Sequence, residues 1–359
     1  MLLDQYQIIE VRTAADEDCD TNILVIYTGG TIGMDYAADG KHLIPFDFQA
    51  LLEKVPELMR FQFRLTLLVP FEPLDSSNMG IDHWLSLGWL IEEVYHQYDG
   101  FVVLHGTDTM AYSASALSFL LQNLDKPIIF TGAQIPISAN RTDARENLIS
   151  ALEIASHKTG NSATVSEVCI FFDNLLLRGN RARKVQSLDF TAFESENYPH
   201  LAEAGIFINF NKNVFLERTT KPFVFHSAME NSVLNWKIFP SMKPHFFEKM
   251  LDCEGIKGVV LESFGSGNIP TESWLLKLLQ KLVDRKILIF NVSQCAGGKV
   301  LQGHYETSQP LDDLGVVSGR DITPEAAITK MMHLLAMEKD YSLLQARLAT
   351  PIAGEMSEN

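Results

Sequence analysis

The chain has few of the features that direct a protein toward several common functions. Its four cysteines, Cys19, Cys169, Cys253 and Cys295, are scattered, with no C-x-x-C pair and no histidine-spaced cluster. That argues against a zinc site or a disulfide framework and fits a reducing compartment. Basic residues are outnumbered, 29 Lys and Arg against 45 Asp and Glu, for a net charge of -16. Nucleic acid and anionic membrane surfaces are therefore disfavoured as partners. No apolar run approaches the roughly 20 residues of a membrane span. The acidic start, with Asp4, Glu10, Asp16, Glu17, Asp18 and Asp20, shows no basic segment leading into an apolar stretch, so no signal peptide is read. The expected location is cytoplasmic.

What the chain does have is length and an ordinary globular composition. Its 359 residues are 46% hydrophobic and 21% charged, enough for two domains with a buried core. Short apolar runs at 23–27, 101–105, 127–132 and 167–173 read as strands. Phe48–Leu58, Asp82–Tyr95, Thr109–Leu124 and Ala144–His157 carry apolar residues at helical spacing, as in the stripe Leu148, Ala151, Leu152, Ala155. Such alternation predicts an α/β fold with a mainly parallel sheet, a flavodoxin/Rossmann-like N-terminal domain. Between about 187 and 245 the alternation lapses into Ile206–Phe210, Val214–Glu217 and Pro222–His226, read as short strands, a hairpin and a connection. It resumes with strands at 256–261 and 287–292 and helices at 271–284 and 324–337. Thr323-Pro324-Glu325 makes a helix start with a capping hydroxyl and proline at the first position. The expected division is an N-terminal domain over 21–218, a linker over 219–231 and a smaller C-terminal α/β domain over 232–359.

Two turns carry the chemistry. Tyr27-Thr28-Gly29-Gly30-Thr31-Ile32-Gly33 follows one strand pattern, and His105-Gly106-Thr107-Asp108-Thr109-Met110 follows another. In a parallel sheet both lie at the carboxyl ends of strands, where ligands bind. Read alone, the first is a strand-to-helix turn, a phosphate cradle or a nucleophile loop. The phosphate reading is weakened, because there is no G-x-G-x-x-G and no Lys-Ser/Thr after the glycines. In the second turn, Asp108 or Thr109 can cap the following helix. Its backbone N–H groups can equally polarise a carbonyl oxygen, and Asp108 suits a substrate ammonium. His105 reads as a structural residue at the strand end. A threonine hydroxyl needs a base or proton relay to become a nucleophile.

Taken together, TGGTIG and HGTDTM resemble the signature of the bacterial-type L-asparaginase family, cytoplasmic (type I) branch. Asp75-Ser76-Ser77-Asn78-Met79 resembles the family's substrate-carboxylate loop. Leu177-Arg178-Gly179-Asn180-Arg181-Ala182-Arg183-Lys184 resembles the segment ending in its catalytic lysine. Asn291-Val292-Ser293-Gln294-Cys295 resembles a strand and loop of the C-terminal domain. The resemblance runs from residue 22 to about residue 340. It implies hydrolysis of L-asparagine to L-aspartate and ammonia, with no metal and no organic cofactor. Thr31 would be the nucleophile that forms an acyl-enzyme, and Thr107, Asp108 and Lys184 the second catalytic group. Ser76 and Asp108 would hold the α-carboxylate and α-ammonium, with Ser77 a second contact, and the Thr107 amide would stabilise the oxyanion. By itself Lys184 reads as a solvated lysine in a basic cluster with Arg178, Arg181 and Arg183. As a proton acceptor it must be neutral, which burial favours and Asp108 opposes.

The resemblance also implies a homodimer or homotetramer whose active sites are completed by a neighbour's loop, here Gly265-Ser266-Gly267-Asn268. Two departures stand out. Relatives commonly carry a tyrosine just before Ile-Pro in the loop after TGGTIG, but Leu43 stands there. Tyr36, the tyrosine of this loop, is either its substitute or an exposed residue. A regulatory asparagine site in some members maps near Arg183, Glu262 and Cys295. Threonine and arginine are common at the first two positions, and the charge reversal at Glu262 implies hyperbolic kinetics. Two other readings remain: the amidase subunit of a tRNA-dependent amidotransferase, and a non-catalytic amino-acid-binding protein. The first typically has an extra N-terminal domain, which the short acidic arm does not supply. The second has no need of Lys184.

Overall fold

The computed structural model describes residues 6–16, 18–36, 43–45, 54–304 and 306–358. Two compact units are present: residues 1–195 with 199–227, and residues 196–198 with 228–359. The first unit is built on a nine-stranded sheet. Its elements are β1 (Gln7–Val11), β2 (Asn22–Tyr27), β3 (Arg64–Val69), α1 (Ile81–Val94), β4 (Gly100–Leu104), α2 (Met110–Leu120), β5 (Ile128–Thr131) and α3 (Ala144–Ser156). These are followed by β6 (Val168–Phe172), β7 (Leu175–Arg178), β8 (Arg183–Lys184), β9 (Phe193–Glu194), β10 (Ala202–Ala204) and β11 (Ile208–Phe210). The strand order is β1-β3-β2-β4-β5-β6-β7-β10-β11.

The five strands from β3 to β6 are mutually parallel, and the edge strands pair antiparallel. Strands β2 and β4 are buried along their apolar runs because a parallel sheet is covered on both faces. Counted in chain order, the parallel strands stand 2-1-3-4-5, the flavodoxin arrangement. The chain reverses direction across the sheet between β2 and β4, the switch point at which such sheets bind ligands. The register Tyr27↔Leu104 brings these two strands to their carboxyl ends side by side. The stripe Leu148, Ala151, Leu152 and Ala155 is buried on α3 as its spacing predicts. In α2 every residue but Tyr112 is buried. Its small alanines and serines let neighbours approach closely; a Cβ on Gly179 would lie 2.9 Å from that of Ala114.

The structure departs from the sequence reading in several places. Arg64–Val69 lies outside the strands that the sequence predicts, yet it pairs with both β1 and β2. The helix from Thr109 ends at Leu120, and Leu121–Gln122 instead pairs with Val224–Phe225. Val214–Glu217 is no strand: the Val214 carbonyl accepts from Arg178 and the Leu216 amide donates to Glu167, so side chains take the place of a ladder. The helix expected over Phe48–Leu58 falls largely outside the described residues, and Pro56–Arg60 is a short 3-10 turn.

The second unit carries β12 (Val233–Lys237), α4 (Pro244–Leu251), β13 (Gly258–Ser263), α5 (Ser273–Asp284), β14 (Leu288–Ser293), β15 (Val317–Ser318), α6 (Pro324–Met337) and α7 (Tyr341–Leu348). Its four strands are parallel in sequential order. They pack on a core that includes Trp236, Leu261, Leu275, Leu279 and Ile289. Helix α6 starts as its sequence predicts, with Thr323 accepting from the Ala326 amide at 3.2 Å and Pro324 next. Among the described residues no helix is long and apolar enough to cross a membrane.

Candidate active site

The glycines of the first turn are required by both conformation and space. Gly29 and Gly30 take φ of 118° and 86°, values that L side chains rarely adopt. A Cβ on Gly29 would lie 2.2 Å from the Leu74 carbonyl oxygen, and one on Gly30 2.5 Å from Gly106. The turn is thus clamped between the segment leading to Ser76 and the HGTD loop. The Leu74 amide donates to the Thr28 carbonyl at 3.1 Å, and the Thr28 amide and hydroxyl both reach Leu104 O. Thr31 opens a 3-10 turn and is half-buried. Beneath it the Tyr27 hydroxyl donates to Gly33 O at 3.1 Å, and burial pushes that phenol up to about 12.

Ser76 lies in a second 3-10 turn capped by Asp75, whose carboxylate accepts from the Ser77 amide at 2.8 Å. Hydrogen bonds from the Ser77 hydroxyl and amide hold the Asp75 carboxyl below its ordinary value. Ser76 is buried and Ser77 exposed. The Ser76 carbonyl accepts from Thr109 Oγ1 at 2.7 Å, and Ser76 Oγ would be 2.7 Å from a Cβ on Gly106. Thr109 therefore ties two loops together. Neither it nor Asp108 caps α2 through its side chain, so the capping reading is corrected.

Three of the residues singled out in the sequence meet directly. Lys184 Nζ donates to Thr107 Oγ1 and to Asp108 Oδ1, each at 2.7 Å. The lysine is only 16% exposed, whereas Asp108 is 62% exposed and open to a ligand. The pairing Lys184↔Phe193 between β8 and β9 presents the ammonium. The chain reaches β8 through a buried 3-10 turn, Gly179–Arg181. Just before that turn, Arg178 and Glu167 form a buried ion pair at 2.5 Å. The surface reading of this basic run is thus corrected: Arg178 and Arg181 are buried, and the Lys184 ammonium is bound to Thr107 and Asp108. A buried arginine must be paired, and Glu167 supplies the charge for Arg178.

One site residue was missed in the sequence. Gln134 accepts from Thr107 Oγ1 at 3.2 Å and donates to Asp189 O at 2.9 Å. Its backbone N–H donates to the Asp143 carboxylate at 2.9 Å, and the pKa of that carboxyl is raised by burial. The available signal was its place just after the strand read at 127–132. Lacking the strand order, nothing marked that strand as the neighbour of β4. For Tyr36 only the backbone is described: Met34–Tyr36 pairs antiparallel with Leu43–Pro45, in the register Tyr36↔Leu43. Its side chain and residues 37–42 lie outside the described residues. No cluster of three or more His, Cys, Asp or Glu suited to a metal occurs among the described residues.

Residues 22–216 match the family described as Asparaginase, N-terminal, and residues 232–348 the Glutaminase/Asparaginase C-terminal domain. The chain is 38% identical to L-asparaginase 1 of Escherichia coli over 337 residues, 94% of this chain and 98% of that protein. It is 31% identical to a glutamyl-tRNA(Gln) amidotransferase component of Methanopyrus kandleri, over 93% of this chain and 75% of that one. Among solved structures, L-asparaginase I of Vibrio cholerae matches with a TM-score of 0.85 and 37% identity, covering 94% of this chain and 99% of that one. With both domains matched along most of its length, the chain belongs to the asparaginase family of amidohydrolase enzymes.

Proposed function

We propose that the protein hydrolyses L-asparagine to L-aspartate and ammonia through an acyl-enzyme on Thr31. The observation that carries this reading is the Lys184 ammonium bound at 2.7 Å to both Thr107 Oγ1 and Asp108, on a loop packed against the Thr31 turn. Thr31 Oγ attacks the side-chain carbonyl carbon, a C–O bond forms, and the amide nitrogen leaves as ammonia with the threonine proton. Water then adds to the ester, the C–O bond to Thr31 breaks, and aspartate is released. The Lys184 ammonium stabilises negative charge on Thr107 Oγ1 as protons move. The exposed Asp108 carboxylate faces the α-ammonium; Ser76, with Ser77, receives the α-carboxylate; and the Thr107 amide receives the oxyanion.

Tyr36 completes the Thr31 side in this proposal. The backbone register sets it opposite Leu43, the position at which relatives commonly carry tyrosine. The enzyme acts in the cytoplasm as a homodimer or homotetramer, a reading supported by the family resemblance and by the scattered free cysteines. In the test, asparagine yields ammonia and aspartate in equal amounts with the wild type. Thr31→Ala lowers kcat by at least ~10³-fold, as expected for loss of a nucleophile, and Tyr36→Phe by a smaller factor. Full ammonia release by Thr31→Ala would overturn the assignment.

The rate is expected to be hyperbolic in asparagine concentration. Glu262, where the resemblance leads one to expect arginine, is buried. Asn235 donates to its carboxylate at 2.6 Å and Lys237 approaches at 3.7 Å. An anion so placed repels a second substrate carboxylate. Initial-rate curves check this, and a sigmoidal curve would contradict it.

A further inference from the structure

His105 follows β4 and directly precedes Gly106 and Thr107, yet its ring is fully buried. Nδ1 lies 2.6 Å from Gly106 O, Nε2 lies 2.8 Å from Ser113 Oγ, and Trp84 Nε1 donates to Ser113 Oγ at 2.9 Å. The chemistry of these groups leaves one assignment. Gly106 O only accepts, so Nδ1 carries the proton. Trp84 only donates, so the Ser113 oxygen receives its hydrogen and the Ser113 hydroxyl points at Nε2. Burial holds His105 at about 4, so the ring is neutral near pH 7 and Nε2 is free to accept. Every hydrogen bond then runs in one direction, from Trp84 through Ser113 and His105 to the Gly106 carbonyl.

That carbonyl is one end of a peptide group whose other end is the Thr107 N–H. A hydrogen bond to the oxygen draws electron density away from the nitrogen and makes the N–H a stronger donor. The peptide is also held in place, because Gly30 and Gly132 pack against residues 105–106 too closely for any Cβ. A histidine that merely fills the core needs partners, but it has no need of a chain ending on this carbonyl.

We propose that Trp84, Ser113 and His105 form a buried relay that strengthens the Thr107 amide as donor to the substrate carbonyl oxygen as it becomes an oxyanion. His105 is then a positioning residue, acting through the Gly106–Thr107 peptide without touching substrate. The inference rests on the amidohydrolase reading above.

Two substitutions separate the halves of the ring. His105→Asn places an amide nitrogen where Nδ1 stands and keeps the donor to Gly106 O. His105→Gln places its amide near Nε2 and keeps only the Ser113 side. Deleting an oxyanion donor outright costs about 10²–10³ in kcat, so weakening one is expected to cost about tenfold. His105→Gln therefore loses about tenfold in kcat with KM within about twofold, and His105→Asn recovers most of that loss. The readout independent of turnover is the Thr107 amide signal in the ligand-free, threonine-labelled ¹⁵N–¹H spectrum. It moves upfield in His105→Gln and stays near the wild-type position in His105→Asn. Should His105→Gln fail to fold, Ser113→Ala cuts the relay one step further out, and a smaller upfield shift is expected. Equal kcat in the two His105 variants, or a Thr107 signal unmoved by both His105→Gln and Ser113→Ala, overturns the relay. A signal that moves as described in a protein releasing no ammonia from asparagine leaves the relay standing and overturns the assigned reaction.

Discussion

Lys184→Met is expected to lower kcat for asparagine by about 10³-fold while leaving the fold intact. Loss of a group that moves or stabilises a proton in the transition state typically costs 10²–10⁴. Here the lysine contributes two of its hydrogen bonds to the site, one to Thr107 Oγ1 and one to Asp108. Methionine keeps the length of the side chain and most of its packing while removing both. The Asp108 carboxylate is largely exposed, so losing its partner strands no buried charge and stability should barely change. Asp108 keeps its place for the α-ammonium, so KM is expected to rise far less than kcat falls. Steady-state kinetics and a thermal melt of the same variant check both halves. Full activity in Lys184→Met would remove the lysine from the mechanism.

Lys330→Met is expected to destabilise the second unit by about 3–5 kcal/mol, the usual effect of removing one partner of a buried ion pair. Lys330 and Glu355 are each 0% exposed and meet at 2.7 Å. The ammonium also donates to Leu348 O at 2.9 Å and Thr350 O at 2.7 Å, so it caps the carboxyl end of α7. Glu355 in turn accepts the Ile352 and Ala353 amides at 3.0 and 2.8 Å. Burial pulls the Lys330 pKa below its ordinary value, and Glu355 opposes that pull. Removing the lysine leaves a buried carboxylate, the last carbonyl of α7 and the Thr350 carbonyl without their cation. A melting midpoint about 10–20 °C lower is the expected reading for a unit of this size. The double variant Lys330→Met/Glu355→Gln should lose less than the sum of the single variants, because neither charge is then stranded. A melt of Lys330→Met that matches the wild type would contradict the account.

The legible parts of this molecule are those where local pattern and tertiary environment agree. Ile23–Tyr27 and Phe101–Leu104 are apolar without interruption because both faces are covered, and that burial is visible in the residues themselves. Thr323-Pro324 starts a helix by local capping alone. Arg64–Val69 is not legible because Arg64 and Thr66 alternate with leucines, a half-exposed pattern too short to separate from a loop. The buried role of Arg178 depends on Glu167, which β6 and β7 bring alongside it by antiparallel pairing. Read without that hairpin, Arg178 looks like its basic neighbours. The Thr107-Asp108 turn is legible in its own residues at a strand end, but the part of Lys184 is legible only through family resemblance, since residues 76 or 77 positions apart show no contact in the sequence. Gln134 and His105 depend on strand order and on the direction of a hydrogen-bond chain, neither of which is written in residue spacing.

The most direct test of the central claim is to look for the covalent intermediate. Thr107→Val should slow the steps that need the second catalytic group while leaving Thr31 in place. Mixed with L-asparagine, quenched in acid and digested, that variant is predicted to carry an aspartyl ester on the peptide containing Thr31. The same experiment with Thr31→Ala/Thr107→Val should show no adduct. An ester on any other residue, or steady ammonia release by the double variant, would contradict the threonine acyl-enzyme.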